Sequence, residues 1–381
     1  MDLSGILTFF SKKEQSVLGI DIGSSAIKIV QVKQKRGKVV LETYGELALG
    51  PYAGIEVGRA TNLPPEKLAE ALKDILREAK TTTLASGVAL PLSSSLISFV
   101  TMPMVQEKQL AEVVAIEARK YIPVPMNEVM LDWSVVPRED SFSTDDDAAK
   151  NAKPAVGPDG KPLPQTQFQD VLIVAILNEF INNYQTVMNK AAVSTSFYEI
   201  ELFSSIRAVV EQGIGGVMVI DMGARITKLY IIERGILRSS HILNKGSQDI
   251  TLALSKALSI SINEAENMKR VYGLTGGPEF KELTEIITIN LDYIFYEANA
   301  TLLSYQKKYN KTISKIILTG GGVLIKGFTE LAKISFQTEV VYANPFGKIE
   351  TPAFLADKLT VAGPEFAVAI GAALRRISET Q

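Results

Sequence analysis

The pattern Asp-x-Gly-x4-Lys occurs twice, at Asp21, Gly23 and Lys28 and again 200 positions later at Asp221, Gly223 and Lys228. Each copy lies where two β-branched, apolar runs meet. The first is embedded in SVLGIDIGSSAIKIVQVKQKRGKVVLETYGELAL, Ser16 to Leu49, with a third apolar run after the polar Gln34 to Lys38 turn. The second lies in GVMVIDMGARITKLYIIERGILRSSHIL, Gly216 to Leu243. Each stretch predicts a meander of three antiparallel strands around a glycine turn. A duplicated meander restricts the chain to two similar lobes of α/β type, and two lobes facing each other predict a cleft between them.

The remaining pattern supplies the helices of such lobes. Leu68, Leu72, Ile75 and Leu76 recur at helical spacing within 64–80, and proline opens that segment where its missing N–H costs little. Strand composition returns over 86–100. A helix over 105–121 is stopped by Pro123 and Pro125. Further on, helices are predicted over 178–191, about 201–212, 247–258, 262–271 and 278–308, with a strand over 193–198. Between Arg138 and Gln167 the sequence turns acidic and rich in proline and glycine, which predicts a mobile loop. Strand-like runs at 129–136 and 170–177 bracket that loop, so a hairpin with a long tip is expected rather than a linker between domains. At the N-terminus, Leu3, Ile6, Leu7 and Phe10 fall on one face of a short amphipathic segment, which docks on the protein's own body or touches a membrane or partner.

Composition excludes several classes of chemistry. The chain of 381 residues contains no cysteine, which removes disulfides, thiolate metal sites and cysteine nucleophiles. His241, the single histidine, lies in a strand-like run without any nucleophile motif beside it and reads as structural or surface. The net charge of -2 gives no general field for phosphate backbones, so nucleic acid is not an expected partner. No apolar run approaches the ~18 residues needed to cross a bilayer. The N-terminus carries an acidic residue and no long apolar core, unlike a signal peptide, so a cytoplasmic protein is expected.

Glycine in a tight turn lets backbone N–H groups approach phosphate oxygens, and an aspartate at a strand end holds Mg2+ through its waters. Gly23, Ser24, Ser25 and Lys28 on one hairpin, facing Gly223, Ala224 and Thr227 on the other, are therefore candidates to clamp a polyphosphate, with Asp21 and Asp221 at the metal. A third element, KIILTGGGVLIKGF at Lys315 to Phe328, places Gly320, Gly321 and Gly322 between a strand and a helix start. Backbone without side chains there lies flat against a planar base.

In this order the three elements resemble the actin-like ATPase superfamily, the fold of actin, Hsp70, sugar kinases and FtsA. The phosphate-1 hairpin resembles 19–30, phosphate-2 resembles 219–230 and the adenosine motif resembles 318–322. The terminal FAVAIGAALRRI, with small residues Ala369, Gly371 and Ala372, looks like the second connecting helix. The resemblance implies that Glu266 and Lys269, in AENMKR, hold ribose hydroxyls. It implies further that Glu201, in YEIELFSSIRAV, is the catalytic acid near Mg2+ or the attacking water, with Glu199 as its neighbouring rival. Ala224-Arg225 departs from the glycine or acid of hydrolysing members, which argues against fast turnover.

Within that superfamily, Thr101 to Val136 and the NPF at Asn344 to Phe346 resemble the PilM family of type IV pilus assembly. This resemblance implies an ATP- and Mg2+-binding scaffold with slow or absent hydrolysis. It also implies a groove beside an inserted subdomain for the cytoplasmic N-terminal tail of the inner-membrane protein PilN. Other pilus assembly components are expected partners, self-association is left open, and the protein is expected at the inner-membrane face through its partners. Trp133, Tyr121, Ile122 and Met126 gather apolar area in the insert, for the groove or for its core. The expected division is 1–101 for lobe I, 102–191 for the insert with its loop at 138–168, and 192–381 for lobe II with helix 366–377 returning to lobe I. The alternatives are an FtsA-like division protein and a small-molecule kinase. The first normally carries a membrane helix beyond a polar linker, where this sequence stops at LRRISETQ. The second needs a substrate acid or base, for which Glu201 is the one candidate.

Overall fold

Both Asp-x-Gly segments close antiparallel hairpins in the computed structural model, which describes residues 15–137, 168–211, 213 and 215–379. Strands β1 (Ser16–Ile22), β2 (Ala26–Lys35) and β3 (Lys38–Ala48) form the first meander. Helix α1 (Pro65–Glu78) and β4 (Ala85–Leu90) follow. Next come β5 (Ser95–Pro103), α2 (Glu107–Ala118), β6 (Val129–Val136) and β7 (Phe168–Leu177). The chain continues through α3 (Asn178–Lys190), β8 (Ser194–Ile200) and α4 (Glu201–Val209). The second meander is β9 (Val217–Met222), β10 (Thr227–Glu233) and β11 (Ile236–Leu243). Helices α5 (Ser247–Leu258), α6 (Ile262–Val271) and α7 (Lys281–Tyr309) lead to β12 (Lys315–Thr319). Finally come α8 (Phe328–Ser335), β13 (Glu339–Tyr342), α9 (Ala356–Ala362) and α10 (Ala367–Glu379).

Among the described residues the first sheet has the order β3-β2-β1-β4-β8 and the second β11-β10-β9-β12-β13. Each is an antiparallel meander extended by two parallel strands. The duplication seen in sequence is thus a duplication of whole sheets. The central strands β1 and β9 are buried almost throughout, as expected for strands covered on both faces.

Two boundaries differ from the sequence reading. Contacts divide the chain into one unit of the described residues up to Leu92 and from Asn183 onward, and a second of Ser93–Asn182. The insert therefore starts before 102, because β5 pairs with β7 from Ser95↔Ile176 to Pro103↔Phe168. Lobe II does not start at 192, because β8 pairs in parallel with β4 and completes the first sheet. The insert is a three-stranded antiparallel sheet, β5-β7-β6, with α2 packed on it through Leu110, Val114 and Ala118. The readings for 1–14 and for most of the 138–168 loop lie outside the described residues. His241 is exposed on β11.

Helix α10 is held against both β1 and α4 at backbone contact. A Cβ on Gly371 would lie 1.8 Å from the Ser204 carbonyl oxygen, and one on Gly19 would lie 1.9 Å from that of Ala369. Only glycine permits such an approach. Lobe II packs around α7, where Phe295 meets Phe328 and Phe336 edge to face. Among the described residues no helix is long and apolar enough to cross a membrane.

Candidate functional site

The two hairpins have the same register. Asp21 pairs with Lys28 and Asp221 with Lys228, and the turns close through Gly23 N–H to Ala26 O at 3.0 Å and Gly223 N–H to Ile226 O at 2.9 Å. Residues directly opposite on antiparallel strands share a face, so each turn sets a carboxylate beside an ammonium. The third strand then separates the copies. Lys28 lies opposite Glu46 and its Nζ is 3.2 Å from that carboxylate. Lys228 lies opposite Ile242, which offers it nothing. Its Nζ sits instead 2.9 Å from Asp221 Oδ2 and 2.7 Å from Glu201 Oε2. The contact to Asp221 is an ion pair without hydrogen-bond alignment, whereas that to Glu201 is a hydrogen bond.

Glu201 is the first residue of α4, packed in lobe I, and Lys228 belongs to lobe II, so their pair joins the two lobes. The other Glu201 oxygen accepts the Leu92 N–H at 2.8 Å. Side chains of Lys228, Asp221 and Glu201 are only 7%, 7% and 13% exposed. Burial opposes the Lys228 charge, but Asp221 and Glu201 outweigh it and hold its pKa well above the ordinary lysine value. Burial pushes Asp21 up to about 7, with Lys28 opposing the rise and Glu201 adding to it. Lys28 is also held above its usual value: burial works against it, and Glu46 and Glu365 overcome that.

The two neighbouring acids have different partners. Glu199 accepts from Ser204 Oγ at 2.6 Å, from both Arg207 terminal nitrogens and from Arg375 at 3.1 Å. It is a structural tie among β8, α4 and α10. Glu201 is the acid that reaches the hairpins.

Several candidates stand elsewhere than expected. Asp221 does not fit a divalent ion: the Lys228 ammonium already lies between it and Glu201, and no group of three acids suited to a metal occurs among the described residues. Thr227 is fully buried and donates its hydroxyl to the Lys245 carbonyl at 2.8 Å, so it is not turned to a phosphate. The Gly223 and Ala224 carbonyls accept from Ser247 and Gln248 N–H, which fixes the start of α5 to the second turn. Gly320 and Gly322 are glycine because Met222 and Asp221 approach them: added Cβ atoms would lie 2.5 Å from Met222 O and 2.5 Å from Met222 Cγ. Gly321 alone is exposed, with Glu365 3.3 Å from where its Cβ would be.

Glu266 and Lys269 form the expected pair at 2.7 Å but do not face an open cleft. Thr251 and Arg270 bond the Glu266 carboxylate, and Lys269 also reaches Thr251 Oγ1 and the Ser247 carbonyl. Over them lies a strap of lobe I, residues 50–63. Gly58, with φ +88°, approaches so closely that a Cβ would be 3.0 Å from Glu266 Cδ. Ala60 N–H donates to Gln248 Oε1, and Thr61 N–H to the Ser24 carbonyl at 2.7 Å. The Ser25 carbonyl accepts from Leu49 N–H. Sequence reasoning missed Glu46, Gln248, Glu365 and this strap. Only Glu46 had a readable signal, its place across from Lys28.

Two duplicated sheets with paired Asp-Gly hairpins and a glycine turn beside the second define an actin-like ATPase fold. Comparison with known proteins narrows the class. The family model "Type IV pilus assembly protein PilM" matches residues 19–150 and 160–377, and the chain belongs to that family. The structure of a PilM-PilN type IV pilus biogenesis complex is similar over 94% of this chain and 98% of its own, with a TM-score of 0.76 and 22% identity. MreB 5 of Spiroplasma citri bound to AMPPNP matches with a TM-score of 0.50 and 12% identity over 96% of this chain and 98% of that one. Cell division protein FtsA of Neisseria meningitidis serogroup B is 24% identical over 94% of this chain and 90% of its own length.

Proposed function

We propose that this chain is an ATP-binding scaffold of a type IV pilus inner-membrane complex, cytoplasmic, and that it binds the N-terminal tail of a PilN-type membrane protein under nucleotide control. The family match over nearly the whole chain carries this reading. The likeness to a PilM-PilN complex supports the choice of partner. Gly23, Ser24, Ser25 and Lys28 fit a polyphosphate, since Lys28 is a partly exposed cation beside the first turn. Gly223 and Ala224 stand at the second turn, and Gly321 fits a base. Glu266 and Lys269 would meet a ribose only with the strap displaced. When bound, nucleotide supplies the charge and shape that draw the lobes together, and its differential affinity for closed and open forms biases the partner site. Turnover is slow in this reading, because both oxygens of Glu201 are engaged and neither is free to activate water.

For the tail, the insert offers a cavity of about 370 Å³ lined by Arg119, Ile122, Val124, Pro125, Met126 and Asn127. Ile122 belongs to the insert's core, Met126 and Trp133 pack on it, and Tyr121 and Met130 are exposed. Apolar lining beside one arginine suits an extended peptide with apolar anchors and a carboxylate.

The test is calorimetric titration with a synthetic PilN-type N-terminal peptide, with ATP, with ADP and without nucleotide. Micromolar binding that changes at least threefold with nucleotide is expected. No heat in any condition sinks the partner assignment, and equal affinity in all three sinks the coupling. The FtsA likeness favours a second reading, a polymerising division protein. ATP-dependent sedimentation of filaments, together with no peptide binding, is the outcome that selects it.

A further inference from the structure

The duplicated lysines of the two hairpins have different tasks, and that of Lys228 is not explained by nucleotide clamping. Opposite Asp221 in register, with Ile242 on its other side, Lys228 turns to two carboxylates, Asp221 on its own hairpin and Glu201 at the start of α4. Its ammonium touches Asp221 and Glu201 at 2.9 and 2.7 Å, and the side chain is 7% exposed, so it has no route to solvent without breaking the bridge between the lobes. Tyr230, two residues on along the same strand, is fully buried as well.

A divalent cation binds through carboxylate oxygens or through waters that those oxygens hold. Here the oxygens that would hold such waters are already neutralised by an amine. A metal brought beside that amine meets like-charge repulsion in a largely dry site. On the first hairpin, by contrast, Lys28 has its ion pair with Glu46 of the third strand, at 3.2 Å.

We infer that Lys228 is the resident cation of the Asp221–Glu201 pair and occupies the place of a divalent metal, so that nucleotide binding by this chain does not depend on Mg2+. The first half of this inference stands on the hydrogen bond and ion pair of Lys228. The second half rests on the nucleotide-binding reading given above.

Two measurements separate the halves. ATP is titrated calorimetrically into the wild-type protein and into Lys228→Met, each with Mg2+ and with EDTA. The wild type is expected to bind equally within threefold in both buffers, and the variant to bind at least tenfold tighter with Mg2+. A tenfold loss by the wild type in EDTA overturns the inference. Should the wild type bind ATP in neither buffer, the nucleotide reading fails by itself, and the metal measurement decides the rest. In that measurement Mn2+ is titrated without nucleotide and followed by electron paramagnetic resonance. The wild type should show no site tighter than millimolar and Lys228→Met one site per chain. A site in the wild type, or none in the variant, overturns the resident-cation assignment. Since Lys228→Met leaves two buried carboxylates unpaired, Lys228→Gln is measured alongside; its amide still donates to Glu201 but carries no charge, and the same outcomes apply to it.

Discussion

Replacing Gly371 by alanine sets two effects of opposite sign against each other. In the interior of α10, alanine gains about 1 kcal/mol of helix propensity over glycine. The new methyl, however, would lie 1.8 Å from the Ser204 carbonyl oxygen and 2.4 Å from its carbon. Ordinary contact begins near 3.4 Å, so α10 and α4 must part by roughly 1.6 Å. Overpacking of that kind costs about 1–3 kcal/mol. Parting also breaks the bond from Arg207 to the Gly371 carbonyl, now 2.9 Å, and a lost bond from a charged donor costs about 1.5–3 kcal/mol. Packing wins, and a net loss of about 2–4 kcal/mol is expected. For a unit of this size that lowers Tm by about 5–10 °C, read by calorimetry or circular dichroism.

Gly19→Ala tests the other wall of the same helix and carries no compensating helix gain, so its loss should be the larger. Gly215→Ala is the control, with nothing but Ser314 Oγ at 3.9 Å, and should change stability by no more than about 0.5 kcal/mol. A Gly371→Ala protein as stable as the wild type would refute the backbone contact between α10 and α4.

Burial raises Asp21 to about 7 against 3.8 when unperturbed, so the folded protein holds a proton that the unfolded chain releases. Stability without nucleotide should therefore fall as pH rises from about 4 to about 7, by at most about 4 kcal/mol and by less to the extent that cleft water screens this partly exposed group. Asp21→Asn should flatten that slope in denaturant titrations done in EDTA, and an unchanged slope would place the titration elsewhere. Gly58→Ala adds a Cβ 3.0 Å from Glu266 Cδ at a residue with φ +88°, which should cost about 1–3 kcal/mol and lift the strap. Hydrogen exchange at the Ala60 amide should quicken at least tenfold, and exchange at the wild-type rate would show that the strap does not rest on Glu266.

The β-branched, apolar runs and the repeated Asp-x-Gly-x4-Lys made both meanders and their hairpin register legible, because strand composition and local turn chemistry dictate them. The small residues Ala369, Gly371 and Ala372 were likewise legible in α10, and Gly371 is the one at which backbone meets backbone. Strand β8 was legible as a strand but not as a member of the first sheet, since parallel pairing with β4 joins segments about a hundred residues apart and leaves no local trace. Thr227 and Lys228 carried the right chemistry for phosphate or metal, yet the direction of each side chain is set by the Lys245 carbonyl and by Glu201, neither of which a hairpin motif contains. The strap over Glu266 was invisible for the same reason: Gly58 and Ala60 lie in a segment without periodicity and acquire their meaning from α5 and α6.

The asymmetry between the hairpins follows from a single difference on the third strand. Where Glu46 faces Lys28, the lysine stays within its own sheet and keeps 14% of its side chain exposed. Where Ile242 faces Lys228, the nearest compensating charges are Asp221 and, across the cleft, Glu201 at the start of α4. A buried ammonium cannot remain unpaired, so an apolar residue on β11 obliges lobe II to reach for lobe I. The same bridge occupies the acid that would activate water and the carboxylate that would hold a metal. The two hairpins are equal in register, and one third-strand difference, Glu46 against Ile242, separates a lysine held within its own sheet from one that latches the lobes together.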